Sequence, residues 1–99
     1  MRLRLSRFVP GDLEEIADFI AQDSPRHAVR VLRLLRARMK EIAKRPEIYR
    51  LRPKIGSEAR VATVGNCVIL FRIQGNAVRI ERVVHGGREL LPIFGEAAE

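Results

Sequence analysis

The strongest alternation of apolar and polar positions in the chain lies between residues 67 and 85, where CVILFRI and AVRIERVVH flank a central Gly75-Asn76 pair. A two-residue Gly-Asn link between β-branched runs predicts a hairpin, because Gly75 accepts the positive φ that a type II′ turn requires. Counting outward sets Ile73 opposite Val78, Arg72 opposite Arg79, Phe71 opposite Ile80, Leu70 opposite Glu81 and Ile69 opposite Arg82. Side chains on a strand alternate between faces. Ile69, Phe71, Ile73, Val78, Ile80 and Val84 are therefore expected on one apolar side, with Leu70, Arg72, Arg79, Glu81, Val83 and His85 on the other.

The rest of the pattern is helical or short. Residues 2–8 alternate Leu3 and Leu5 with Arg2, Arg4 and Ser6, which predicts a half-buried strand broken at Pro10-Gly11. Asp12 and Glu15 have capping-box spacing, and Leu13, Ile16, Ala17 and Ile20 repeat at i, i+3, i+4 and i+7. That predicts a helix from Asp12 to near Asp23. Ser24-Pro25 then reads as an N-cap with proline at the first helical position. The series Ala28, Val31, Leu32, Leu35, Met39, Ile42, Ala43 keeps helical period as far as Pro46. Two helices joined so closely must fold back as an antiparallel pair, with their shared apolar stripe toward the sheet. Arg26, Arg30, Arg33, Arg36, Arg38, Lys40, Lys44 and Arg45 fall outside that stripe and read first as a solvated surface.

Residues 46–58 form an irregular basic loop around Tyr49-Arg50-Leu51-Arg52-Pro53-Lys54, and Arg60 to Val64 a short strand turned at Gly65-Asn66. The final segment carries Leu90, Leu91, Ile93 and Phe94, and residues 95–99 are expected to fray. The predicted order is β-α-α-β-β-β. It describes one α+β domain over residues 1–99, with a mostly antiparallel sheet, a three-stranded meander at its end and helices on one face.

Composition narrows the class. Hydrophobic content of 46% and charged content of 31% fit a globular chain with one core. No apolar run approaches the roughly 20 residues that span a bilayer, and the N-terminus lacks a signal-peptide stretch, so a cytoplasmic location is expected. The single Cys67 excludes an internal disulfide and a cysteine-built zinc cluster, and reads as a small buried apolar group. No metal or cofactor site is expected. Nineteen basic against twelve acidic residues give a net charge of +7, which predicts a nucleic acid or an acidic protein segment as partner. Only Lys40, Lys44 and Lys54 are lysine, and arginine suits bidentate contact with phosphate or carboxylate, although a GC-rich coding bias produces the same preference.

The helical stretch LEEIADFIAQDSPRHAVRVLRLLRARMKEIAKRPEIYR, the run CVILFRI and the closing RIERVVHGGREL, in this order and spacing, resemble the RelE/ParE superfamily of toxins from bacterial type II toxin-antitoxin systems. The resemblance covers nearly the whole chain. It implies a small basic toxin, held inactive in a hetero-oligomer by an acidic, ParD-like or related antitoxin that wraps its surface. RelE-like members are ribosome-dependent mRNA endonucleases, often with a tyrosine near the C-terminus that takes part in cleavage. ParE-like members keep the fold, lack the full catalytic set and poison DNA gyrase.

This chain has only Tyr49, in mid-chain, and Phe94 as its C-terminal aromatic. Together with the closing His-Gly-Gly-Arg, that favours the ParE-like branch, a gyrase inhibitor. The alternative is a RelE-like nuclease assembled from Arg60, Arg72, Glu81, His85 and Arg88 on the open sheet face. There Glu81 or His85 would move protons and the arginines would stabilise the phosphorane. Against it stands the reading of Arg72, Arg79 and Glu81 as a cross-strand charge cluster. For partner contact the candidates are Arg72, Arg79, His85, Arg88, Leu90, Leu91, Ile93 and Phe94, the last four equally suited to the chain's own core. A third reading is a nucleic-acid-binding regulator that uses the arginine-rich second helix.

Overall fold

The computed structural model describes residues 1–86. Its elements run β1 (Arg2–Leu5), α1 (Val9–Ala21), α2 (Pro25–Lys44), a single 3₁₀ turn (Pro46–Ile48), β2 (Arg60–Val64), β3 (Cys67–Gln74) and β4 (Ala77–His85). The expected β-α-α-β-β-β order is present. The four strands form one sheet in the order β1-β4-β3-β2, antiparallel between β2, β3 and β4 but parallel between β1 and β4, so the sheet is mixed.

The helices cover one face. Leu13 and Ile16 of α1 and Leu35, Met39 and Ile42 of α2 meet Ala62, Cys67, Ile69, Phe71, Val78, Ile80 and Val83 in the main core. Phe71 lies wholly inside it, with Tyr49 edge-on to its ring at 5.5 Å between centroids. Ser24 caps α2 as its sequence implies, its hydroxyl accepting the His27 N–H at 3.1 Å. Burial pushes the Cys67 thiol above its ordinary range.

Four details differ from the sequence reading. First, α1 begins at Val9, so Asp12 is inside the first turn and is no cap. Proline is tolerated there because the leading amides of a helix have no carbonyl to reach. The buried Ser6 takes over the entry, its hydroxyl accepting from Phe8 N–H at 3.2 Å and its carbonyl from Val9 N–H at 3.2 Å.

Second, β1 is exposed along its whole length, with Leu3 and Leu5 38% and 50% accessible, because it is an edge strand that α2 touches only lightly.

Third, the hairpin register holds from Gln74–Ala77 to Phe71–Ile80 and then shifts: Leu70 pairs with Arg82, Ile69 with Val83, Val68 with Val84 and Cys67 with His85. Glu81 is the extra residue of a β-bulge. A bulge exchanges the faces of every residue beyond it, so Val83 joins the main core and Val84 the opposite face.

Fourth, the basic loop before β2 folds back. Leu51 bridges to Arg60, Arg52 N–H donates to the Ala59 carbonyl at 2.7 Å, and Ala59 with Ile55 covers Leu70, Val84, Val61 and Val68 on the second sheet face. Among the described residues, only the other, arginine-bearing end of that face is left open. The expected frayed end and the apolar residues Leu90, Leu91, Ile93 and Phe94 lie outside the described residues.

Candidate functional site

Cross-strand pairing builds the open end of the sheet. Arg72 of β3 and Arg79 of β4 face each other, and the parallel register of β1 puts Arg4 beside Arg79 and Arg2 beside Ala77 on the same side. Like charges directly opposite one another are destabilising. The bulge residue Glu81 relieves this, its Oε1 lying 2.8 Å from Arg72 Nε and its Oε2 3.6 Å from Arg79 Nε.

The carboxylate is 1% accessible while the two guanidinium side chains are 22% and 34% accessible. These are charge contacts without hydrogen-bond alignment, and neither carboxylate oxygen has a hydrogen-bond partner. Desolvation raises the Glu81 pKa above its usual value, against the opposing pull of Arg72 and Arg79. What the surface presents outward is therefore guanidinium, with a sealed carboxylate beneath.

The other sequence candidates lie elsewhere. Arg60 pairs with Phe71 and so points to the helix side, where its Nη1 donates to the carbonyls of Glu47 at 3.3 Å and Tyr49 at 2.6 Å. It holds the 3₁₀ turn in place. His85 also lies on the helix side because of the bulge, its ring 5.1 Å from that of Phe19 on α1. It lines a groove between α1 and the end of β4 with Asp12, Glu15, Ile16, Phe19 and Val83. The expected gathering of Arg60, Arg72, Glu81 and His85 on the open face does not occur: Arg72 and Glu81 are there, Arg60 and His85 are not. Arg88 is outside the described residues.

Sequence reasoning missed one ionic centre. Arg82 Nε donates to Asp12 Oδ2 at 2.8 Å and Arg82 Nη2 to Asp12 Oδ1 at 2.9 Å, while the Val83 N–H also donates to Oδ2, at 3.0 Å. The Arg82 guanidinium rests 4.7 Å above the Phe8 ring. A charged residue whose expected partner face is apolar was the available signal. Among the described residues no group of three or more His, Cys, Asp or Glu could hold a metal ion, and no helix is long and apolar enough to cross a membrane.

The mixed four-stranded sheet with an antiparallel helix pair on one side recurs in solved structures of toxin-antitoxin systems. The chain superposes on a structure of the chromosomal ParDE toxin-antitoxin system of P. aeruginosa with a TM-score of 0.76 and 21% identity, covering 88% of this chain and 97% of that one. It superposes on the RelBE2 toxin-antitoxin complex of Mycobacterium tuberculosis with a TM-score of 0.58 and 22% identity, covering 85% and 95%. No curated protein gives a significant sequence match. Residues 3–90 match the family described as ParE toxin of type II toxin-antitoxin system, parDE, and the chain belongs to that family.

Proposed function

We propose that this type II toxin acts by binding and poisoning DNA gyrase, and that an acidic antitoxin neutralises it. The observation that carries this reading is the dispersal of the acid-base candidates. Cleaving a phosphodiester through the ribose 2′-hydroxyl requires a base and an acid within reach of one phosphate. Here Glu81 is sealed under Arg72 and Arg79, whereas His85 stands on the opposite side of the sheet against Phe19. Binding a topoisomerase needs no such geometry. It needs a recognition surface, and the open face supplies Arg2, Arg4, Arg72 and Arg79 around one neutralising carboxylate.

An acidic antitoxin complements both that face and the net charge of +7. The family match over residues 3–90 and the fold of the ParDE and RelBE2 structures support the antitoxin partnership. The test combines an assay of the purified toxin with one of cells that express it. Purified toxin should inhibit supercoiling by gyrase, and primer extension on translated mRNA from toxin-expressing cells should show no codon-phased cuts. Codon-phased cuts with unimpaired gyrase would transfer the function to the endonuclease class.

A further inference from the structure

One charged feature is used neither by the fold nor by the open sheet face. Positions 26, 30, 33, 37, 40 and 44 of α2 recur at alternating intervals of four and three, which keeps them in one narrow stripe of a helix. Their occupants are Arg26, Arg30, Arg33, Ala37, Lys40 and Lys44, all exposed, directly opposite the buried Leu35, Met39 and Ile42. Five cations thus form a straight row about 27 Å long at 1.5 Å per residue.

None of the five forms an ion pair among the described residues, and the neighbouring acid, Glu41, is engaged by Arg38 at 3.4 Å. Like charges spaced i, i+4 oppose helix formation, so the row weakens the helix that carries it. A merely solvated face would mix signs.

We propose that this row binds the phosphate backbone of double-stranded DNA. Protein partners favour surfaces with an apolar centre from which charge is depleted. This stripe has cations at every position but Ala37, and the exposed Val29 and Leu34 flank it on its two sides without interrupting it. Phosphate contacts need charge and little else, and the arginine fork matches phosphate oxygens. Geometry selects DNA over RNA. A rigid rod of this length bridges the B-form major groove, about 12 Å wide, so that Arg26 and Arg30 reach one strand and Lys40 and Lys44 the other, whereas the A-form major groove is too narrow to be bridged in this way. The inference goes beyond the gyrase reading and does not depend on it.

Fluorescence anisotropy with a short labelled DNA duplex of arbitrary sequence tests it, using the whole chain, the triple variant Arg26→Gln/Arg30→Gln/Arg33→Gln, and the control Arg50→Gln/Arg52→Gln/Lys54→Gln. The control removes the same charge from the exposed loop, and circular dichroism checks that both variants fold. At about 50 mM salt the stripe variant should lose at least about tenfold in affinity, and its log–log salt slope should fall by about 3, while the control loses much less. Equal losses in the two variants would reduce the effect to net charge and overturn the proposal. So would absence of duplex binding by the unaltered chain, or equal affinity for duplex RNA. A stripe variant that keeps DNA affinity but no longer binds an acidic antitoxin would assign the row to a protein partner and overturn it as well.

Discussion

Arg82 and Asp12 are 70 residues apart in sequence and share two parallel hydrogen bonds, at 2.8 and 2.9 Å, in a site where their side chains are 10% and 7% accessible. The pair ties the first turn of α1 to the strand segment just past the bulge. Asp12 also accepts the Val83 N–H, so one carboxylate fixes both the helix and the register.

Asp12→Ala deletes two charge-assisted hydrogen bonds to Arg82 and the acceptor of the Val83 N–H, and should cost about 3–5 kcal/mol, measured by urea unfolding. The double variant Asp12→Leu/Arg82→Met should recover much of that loss, since apolar replacements of similar volume leave no buried charge behind. A cost below about 1 kcal/mol for Asp12→Ala would show that the pair is not structural.

The elements themselves were largely readable from the sequence. Ser24-Pro25 placed the start of α2, Gly75-Asn76 placed the hairpin, and the register near that turn followed from counting. The bulge at Glu81 left a single trace in VRIERVVH, since continuous alternation puts Arg82 on the apolar face between Ile80 and Val84, and one misplaced charge does not say where the register slips. One added residue moved Val83, Val84 and His85 to the opposite faces, and with His85 went the expected open-face cluster. The start of α1 was obscured because Pro10-Gly11 is also a turn signal, and because Asp12 has the spacing of a cap while its oxygens serve Arg82. Which strand β1 pairs with is a long-range choice that no local pattern carries.

The buried Glu81 carboxyl gives a pH dependence of definite sign. Its pKa in the folded state is raised above its unfolded value, so its contribution to stability is fully present below the unfolded value and declines as pH rises through the folded one. Unfolding free energies of the parent chain and Glu81→Gln between about pH 4 and pH 7 should show the parent's advantage shrinking as pH rises. An advantage that grew over the same range would mean that Arg72 and Arg79 outweigh desolvation.

Two glycines should respond in opposite directions to the same change. Gly75 sits at φ +58° in the hairpin turn with open space around it, so Gly75→Ala meets no atom but places a Cβ in the left-handed region, at a cost of about 1–2 kcal/mol. Gly11 lies in the first turn of α1, also with nothing near a Cβ and without a positive φ. There alanine restricts only the unfolded chain, and Gly11→Ala should stabilise by about 0.4–1 kcal/mol. Thermal unfolding of the two variants checks both signs, and equal shifts in the same direction would contradict the conformational account.

If the arginines of the open sheet face form the working surface, Arg72→Ala/Arg79→Ala should reduce toxicity in cells while Arg60→Ala and His85→Ala retain it in proportion to their folded fraction. Arg60 and His85 hold loop and helix contacts on the other side of the sheet, so a specific loss of toxicity in well-folded His85→Ala would return that side chain to the candidate site. Growth curves after induction, paired with the amount of soluble toxin, read this out.

Gyrase poisoning is read out by what happens to DNA when purified toxin meets purified gyrase. Incubating the two with plasmid and ATP, then denaturing and digesting the protein, should release linearised plasmid from trapped cleavage complexes, and prior addition of the acidic antitoxin should abolish that product. Plasmid that emerges fully supercoiled and uncut at saturating toxin would contradict the account.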